Sequence, residues 1–327
     1  MIMKLIRKKF LVIALMIFAV AIKINAFEKV GTTSFQFLKV VPGARANALS
    51  GAFSTLVNNS ESVFWNPAGL ARVANYDFSF GYIDWFMDVK HFSFSAAYNM
   101  GDIGTIGFLG VLSDVGEIEV TSVDRLGFVN GVYNPGLTGE IINPSSLVLG
   151  VSYAKNVTNK FAFGVTVKYA YENLVYKKAG ALIFDGGLTF NTGFKSIILG
   201  AAVRHFGQEV KFIDKSYPLP QTFNIGISSY LISPDEPLIT SIGDQRLLFS
   251  YDMIQPRDYD QMHSVGMEYS FKEMLFLRGG YTFNSDQEGM SAGIGVKYAK
   301  YRLDYSFNDH GEYLDSVHRL TIGLEIN

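Results

Sequence analysis

Strict alternation constrains this chain more than any other feature of it. From residue 161 to 172, Phe161, Phe163, Val165, Val167, Tyr169 and Tyr171 occupy one parity, and Ala162, Gly164, Thr166, Lys168, Ala170 and Glu172 the other. A β-strand sends successive side chains to opposite faces, so this segment makes a surface with one greasy and one wet side. The pattern recurs in the last six expected strands. Leu247, Phe249, Tyr251 and Met253 share one parity, as do Leu275, Leu277, Tyr281 and Phe283, then Ala292, Ile294, Val296 and Tyr298, then Tyr301, Leu303, Tyr305 and Phe307. The opposite parity collects Arg246, Asp252, Glu268, Arg278, Lys297, Arg302, Asp304, Arg319 and Glu325. A charge facing lipid at mid-membrane costs about 2–4 kcal/mol, whereas unlike charges in a wet lumen neutralise one another. The wet parity therefore reads as the bore of a transmembrane barrel, and its charges as a pairing network along the lumen wall.

Parity places strands at 75–83, 90–99, 103–112, 147–155, 160–172, 180–190, 196–206, 221–230, 245–254, 261–271, 274–284, 288–298, 300–308 and 316–326. The expected fold is all-β, a 14-stranded antiparallel transmembrane β-barrel with an N-terminal hatch segment inside the lumen. Most windows have the ~9–11 residues that a tilted membrane strand needs, and their number is even. The prolines, at 42, 67, 135, 144, 218, 220, 234, 237 and 256, all fall outside the windows, as they should where a ladder donor cannot be spared. Long connections at 113–146 and 207–220 belong to the outer end and short ones to the periplasmic end. The segment 231–244, with Pro234 and Pro237, breaks that rule. Strands 103–112 and 180–190 carry apolar residues on both parities, which points to contact with something apolar inside.

Residues 1–26 read as a signal peptide: Lys4, Arg7, Lys8 and Lys9, an apolar run from Phe10 to Ile22, then Asn25 and Ala26. That run is too short to span a bilayer, which takes roughly 20 apolar residues. Its removal with Lys23 leaves 23 basic residues against 30 acidic ones, near −7, which argues against nucleic acid as a partner. The chain has no cysteine, hence no lipid-anchored thiol and no disulfide framework. Residues 27–74 form the expected hatch and 75–327 the barrel. A bore of fourteen strands is wider than its own side chains can fill, so the hatch is its natural occupant. Ala44 to Val57 suits a short helix of small residues. At Asn66-Pro67 a helix start is expected, with Asn66 capping free donors and Pro67 at the first helical position.

The runs Phe35-Gln36-Phe37-Leu38-Lys39, Pro42-Gly43-Ala44-Arg45-Ala46, Leu49-Ser50-Gly51-Ala52-Phe53 and Phe64-Trp65-Asn66-Pro67-Ala68-Gly69-Leu70-Ala71 resemble the PorV/PorQ family, a branch of the FadL-like outer-membrane barrels. The resemblance marks Gly43, Arg45, Ala46, Asn66, Pro67, Ala68 and Gly69 as the hatch motif. It implies a Gram-negative outer-membrane barrel obstructed by its own N-terminus, with outer-membrane lipid around it. PorV-type members act in type IX secretion, so the resemblance implies an accessory or shuttle role in protein export, with a large translocon and exported cargo as partners. FadL members admit hydrophobic small molecules, so passive uptake of an apolar small molecule is the alternative.

The residues offer little for catalysis, and no cofactor is expected. His91, His205, His263, His310 and His318 are scattered without the i, i+4 spacing of a metal site. Asp258, Asp260 and His263 have the residue types of a water-activating pair, but read as a solvated acidic loop, with a hydrolase a distant third function. The long connection 113–146, with Asp114, Glu117, Glu119 and Asp124, exceeds ordinary loop length and is the candidate partner surface. Tyr82, Trp85 and Phe86 at one rim, and Tyr298 and Tyr301 at the other, read as interfacial belts.

Overall fold

The computed structural model describes residues 31–286, 289–311 and 315–326; the expected signal peptide at 1–26 lies outside the described residues. In chain order the strands are β1 (Tyr76–Asp84), β2 (Lys90–Asn99), β3 (Thr105–Asp114), β4 (Ile118–Val129), β5 (Val132–Ile142), β6 (Ser145–Asn156), β7 (Phe161–Asn173), β8 (Lys178–Asn191) and β9 (Ile198–Gly207). They continue with β10 (Val210–Lys211), β11 (Ser216–Tyr217), β12 (Thr222–Ile232), β13 (Gln245–Pro256), β14 (Met262–Phe271), β15 (Leu275–Phe283), β16 (Met290–Tyr298), β17 (Tyr301–Asn308) and β18 (Val317–Ile326). β4 pairs only with β5 and β10 only with β11; the other fourteen close into one antiparallel barrel. The seam joins the first strand to the last, from Tyr76↔Ile326 to Asp84↔His318. Closure gives every wall strand two partners, the condition for a sheet in hydrocarbon.

Each barrel strand lies within two residues of its expected window. The parities fall as the sequence requires. On β17, Leu303 and Tyr305 are 47% and 38% exposed, whereas Asp304 between them is 1% exposed. On β7, Val165, Val167 and Tyr169 face out, and Thr166, Lys168 and Ala170 are buried. No helix among the described residues is long and apolar enough to cross a membrane.

Three expectations change. The connection 113–146 is mostly the hairpin β4–β5, whose turn at Asn130-Gly131 holds both residues at positive φ, 53° and 83°. Two prolines lie inside strands: Pro135 in β5, whose two-stranded sheet has free edges, and Pro256 as the last residue of β13. Both are places where a missing N–H is tolerated. The 231–244 segment, which broke the rule of short periplasmic connections, remains long, with β12 running two residues past its expected end to Ile232. β12 shifts register between Tyr230 and Ile232, and the chain folds back with Leu238 N donating to Tyr230 O at 2.8 Å and Ile239 N to Leu231 O at 3.0 Å.

The lipid-facing parity makes a direct prediction. Leu303→Arg should destabilise the barrel by about 2–4 kcal/mol, read from urea unfolding in lipid vesicles. Loss of much less than that would mean that Leu303 does not face hydrocarbon.

Candidate functional site

The interior segment from Thr33 to Val73 is buried along most of its length. At one end, Thr33 Oγ1 and Lys39 Nζ both donate to Asp258 Oδ2, at 2.8 and 2.7 Å, and Ser34 N donates to Pro218 O at 2.9 Å. Phe35 packs edge-on against Phe212 with ring centroids 6.0 Å apart, and Val210 and Leu219 are buried in the same apolar cluster. Asp258 is 2% exposed, so the solvated acidic loop expected here is corrected: this carboxylate anchors the hatch. His263 bonds instead to Tyr251, at 2.8 Å.

Further along, the helix Ala44–Ala48 lies against the wall, with Ala44 N donating to Thr321 Oγ1 at 3.0 Å and Asn308 Nδ2 donating to Asn47 O at 2.8 Å. Ser54 N donates to Asp252 Oδ2 at 3.0 Å, and Ser60 N and Oγ donate to Asp77 Oδ1 at 2.9 and 2.5 Å. Asn66 is extended and fully buried. Its Oδ1 accepts from Ala68 N at 3.1 Å, and its Nδ2 donates to Ser54 O at 2.7 Å and to Leu188 O on β8 at 3.1 Å. Pro67 opens the 3₁₀ turn Pro67–Arg72, where its missing donor is harmless. One asparagine thus caps a turn, holds the hatch to itself and ties it to the wall.

Three directly opposed glycine pairs make this close seating possible: Gly164↔Gly187, Gly200↔Gly226 and Gly266↔Gly280. A Cβ on Gly164 would sit 2.5 Å from Pro67 O, one on Gly187 would strike Asn66 Oδ1, one on Gly200 would sit 2.9 Å from Ser54 O, and one on Gly280 2.5 Å from Leu49 C. The hatch backbone touches wall backbone where no side chain intervenes. These glycines are the wall side of those close approaches, and the motif Asn66-Pro67-Ala68 is the hatch side of one of them. Gly69 of the same motif lies against Val57, within the hatch. Gly43 is the N-cap of the Ala44–Ala48 helix at φ 105°, a conformation that favours glycine, and Ala46 is buried.

The lumen charges form a chain that starts and ends on the hatch. Arg45 grips Glu268 with two bonds, Nε to Oε2 at 2.8 Å and Nη2 to Oε1 at 2.9 Å. Arg278 donates from Nε to Glu268 Oε2 and from Nη1 to Asp304 Oδ1, both at 2.6 Å. Arg302 reaches Asp304 Oδ2 at 3.8 Å and Asp77 Oδ2 at 3.3 Å, and Asp77 holds Ser60. On β16, between Arg278 and Asp304, Gly295 leaves the space: a Cβ there would lie 2.5 Å from Arg278 Nη1.

The expected single network of nine wall charges is therefore corrected. Glu268, Arg278, Asp304 and Arg302 are linked, but Lys297 pairs with Glu325 at 2.7 Å, and Arg246 with Glu273 at 2.5 Å. Asp252 binds the hatch, and Arg319 lies over Trp85 and donates to Asn308 at 2.5 Å. Trp85 belongs to this rim cluster, edge-on to His91 and His310, rather than to a simple belt. Arg45 and Asp77 complete the chain, and buried Lys168–Asp185 forms a separate pair at 2.5 Å. Asp77 and Asp185 share the lumen parity of their strands, the signal that would have found them. Asp114, Glu117, Glu119 and Asp124 are exposed and spread over the end of β3 and along β4, and the fold gathers them into no site. Among the described residues no cluster of histidines and carboxylates could hold a metal ion.

The middle of the lumen face of β3 and β6 is apolar, between Thr105 and Ser113 on β3 and between Ser146 and Ser152 on β6, and it meets the hatch. Leu109 and Val148 line a gap of about 30 Å³ with Leu38, Val41, Val63, Lys168 and His205. Leu70 packs beside Gly107. Nearby the wall is irregular: β8 and β9 shift register between Phe184 and Gly186, His205 takes φ 61°, and His205 N donates to Asp185 Oδ1 at 2.7 Å.

A closed fourteen-stranded wall with an apolar skin and a charged bore is a transmembrane β-barrel, and among the described residues no helix is long and apolar enough to cross a membrane. No family model and no curated protein matches the chain. Among solved structures, the toluene transporter TodX of P. putida is similar with a TM-score of 0.60 at 12% identity, covering 87% of this chain and 98% of its own. The monoaromatic hydrocarbon channel CymD gives 0.56 at 12%, covering 88% and 98%. A Pseudomonas aeruginosa FadL homologue gives 0.50 at 9%, covering 88% and 99%. At such identities the likeness establishes the shared fold, and these neighbours are transport proteins rather than enzymes. The finer PorV/PorQ assignment is not among these results.

Two outcomes test the seating. Gly187→Ala should loosen the hatch by about 1–3 kcal/mol and raise single-channel conductance in planar bilayers, whereas Gly110→Ala, whose added Cβ meets only an ordinary contact at 3.6 Å, should do neither. Burial raises the Glu61 carboxyl from 4.5 to about 7 against the pull of Arg302. A raised carboxyl favours the folded form below pH 4.5, and that contribution is lost as pH rises through 7. Wild type should therefore weaken relative to Glu61→Gln across that interval in denaturant unfolding at stepped pH; parallel curves would refute it.

Proposed function

We propose that the protein is a passive outer-membrane channel for small apolar molecules, shut in this state by its N-terminal hatch. The observation that carries the reading is the apolar interior on one side of the bore. Leu109, Val148 and Ile183 turn aliphatic side chains inward, and Phe35 and Leu38 of the hatch lie among them in one buried cluster. A purely aqueous pore gains nothing from such a wall, since its permeants prefer polar surfaces. The shared fold with a toluene transporter and a monoaromatic hydrocarbon channel supports the same reading.

On this view the hatch is the gate and its wall contacts set the threshold for opening. Asn66, Asp252, Asp77 and Glu268 hold it at separate points, so its release requires several bonds to yield together. An apolar permeant replaces hatch side chains against the lumen face of β3 and β6, where burial is worth roughly 25 cal/mol per Å² of apolar surface.

A second reading, an accessory in protein export, draws on a different observation. The β4–β5 hairpin exposes Val123, Phe128, Val132 and Tyr133, at 80, 76, 72 and 58%, which is more apolar surface than an idle loop needs. Uptake of radiolabelled toluene into proteoliposomes separates the two. The channel reading expects flux above empty vesicles, higher in Gly187→Ala and unchanged on deleting residues 118–142. Flux equal to empty vesicles for both proteins would exclude it.

A further inference from the structure

Beneath the hatch, on the side where β1 begins, lies a second and very different cavity of about 250 Å³. It is many times the ~30 Å³ share of one water in the liquid. Arg45, Arg72, Arg278 and Arg302 line it together with Asp77 and Glu268. Glu273, Lys297 and Glu325 also line it, with side chains 57, 37 and 29% exposed, so the cavity opens to solvent at that end.

With buried Glu61, which feels the charge of Arg302, the inner charges come close to balance in number, but they are unevenly paired. Arg45 and Arg278 are matched by Glu268 and Asp304, and Arg302 by Asp77. Arg72 has no carboxylate: its Nη1 donates to the backbone oxygens Thr55 O at 3.0 Å and Val57 O at 3.5 Å. A guanidinium carries five donors in a flat fork, so most of those of Arg72 meet no acceptor among the described residues. Arg302 adds another, because its buried Nε makes no hydrogen bond and comes only within 3.8 Å of Asp304 Oδ2. A buried donor without a hydrogen bond is costly, as at Arg302 Nε, whereas Arg72 is half-buried and its remaining donors open onto the same chamber.

We propose that this chamber is a binding site for a small oxyanion, a carboxylate or phosphate group, taken by Arg72 and Arg302. Flat forks of donors match both groups two bonds at a time, which a single ammonium cannot do. The site lies apart from the apolar face of the bore and does not depend on what crosses the membrane. It gives the periplasmic end of the protein a ligand of its own, in contact with Arg72 of the hatch and Arg302 of the wall.

The test is calorimetric titration of the full chain in detergent micelles, at fixed ionic strength with chloride as background, using sodium benzoate and inorganic phosphate as probes. Saturable binding of either at one site per chain is expected, and which one binds identifies the group as carboxylate or phosphate. Arg72→Gln should weaken it at least about tenfold, the loss of a charge-assisted pair. Arg72→Lys, which keeps the charge and loses the fork, should fall between, and Lys195→Gln, away from the chamber, should bind as wild type does. Because Arg72→Gln also gives up the bonds to Thr55 and Val57, Arg302→Lys is the second variant, retaining a cation for Asp77 while removing the Nε donor. It too should bind several-fold more weakly. Binding of neither probe above chloride, or full affinity in both Arg72→Gln and Arg302→Lys, would overturn the proposal.

Discussion

Hydrocarbon offers a backbone amide no partner, and that one deprivation organises the molecule. Wall strands must bond on both sides, so the sheet has to close, and β1 has to find β18. Closure by fourteen strands leaves a bore too wide for wall side chains alone, so it needs a filling. The N-terminal segment supplies one. It must then satisfy its own amides against the wall, through Asn66, Asp252, Asp77 and Thr321.

The buried charges follow from the same geometry. An isolated guanidinium or carboxylate inside the bore would be strongly unfavourable, but the sequence Arg45, Glu268, Arg278, Asp304, Arg302, Asp77 alternates in sign and is locally neutral. Removing one partner of such a buried pair typically costs about 3–5 kcal/mol, because the other is stranded. A chain of pairs that begins on hatch residue Arg45 and ends at hatch residue Ser60 therefore fixes where the hatch sits as well as holding it.

The wall was legible in the sequence because parity reports directly on which side of a strand is wet. Leu303, Asp304 and Tyr305 needed no structure to be assigned. The hatch was legible only as a segment that does not alternate, with Asn66-Pro67 marking a turn. Its contacts were not legible. Asp258 sits in a loop of ordinary composition, and nothing local reveals that Thr33 and Lys39 come to it from 225 and 219 residues away. The glycine pairs hid for a related reason: a glycine on the lumen parity looks like any small residue until its opposite number and the approaching backbone are known. Nor could parity tell which wall charges would pair, since both signs lie on one face and partners are chosen across strands.

The hatch runs straight into β1, one of the two strands at the seam, while the other, β18, is the last wall strand in chain order. The cylinder thus stays slit until β18 pairs with β1, and its plug is tethered to one lip of the slit. Assembly consequently has an intrinsic order in which the stopper can settle against an open trough before the lips meet, and a finished vessel never has to be corked from outside.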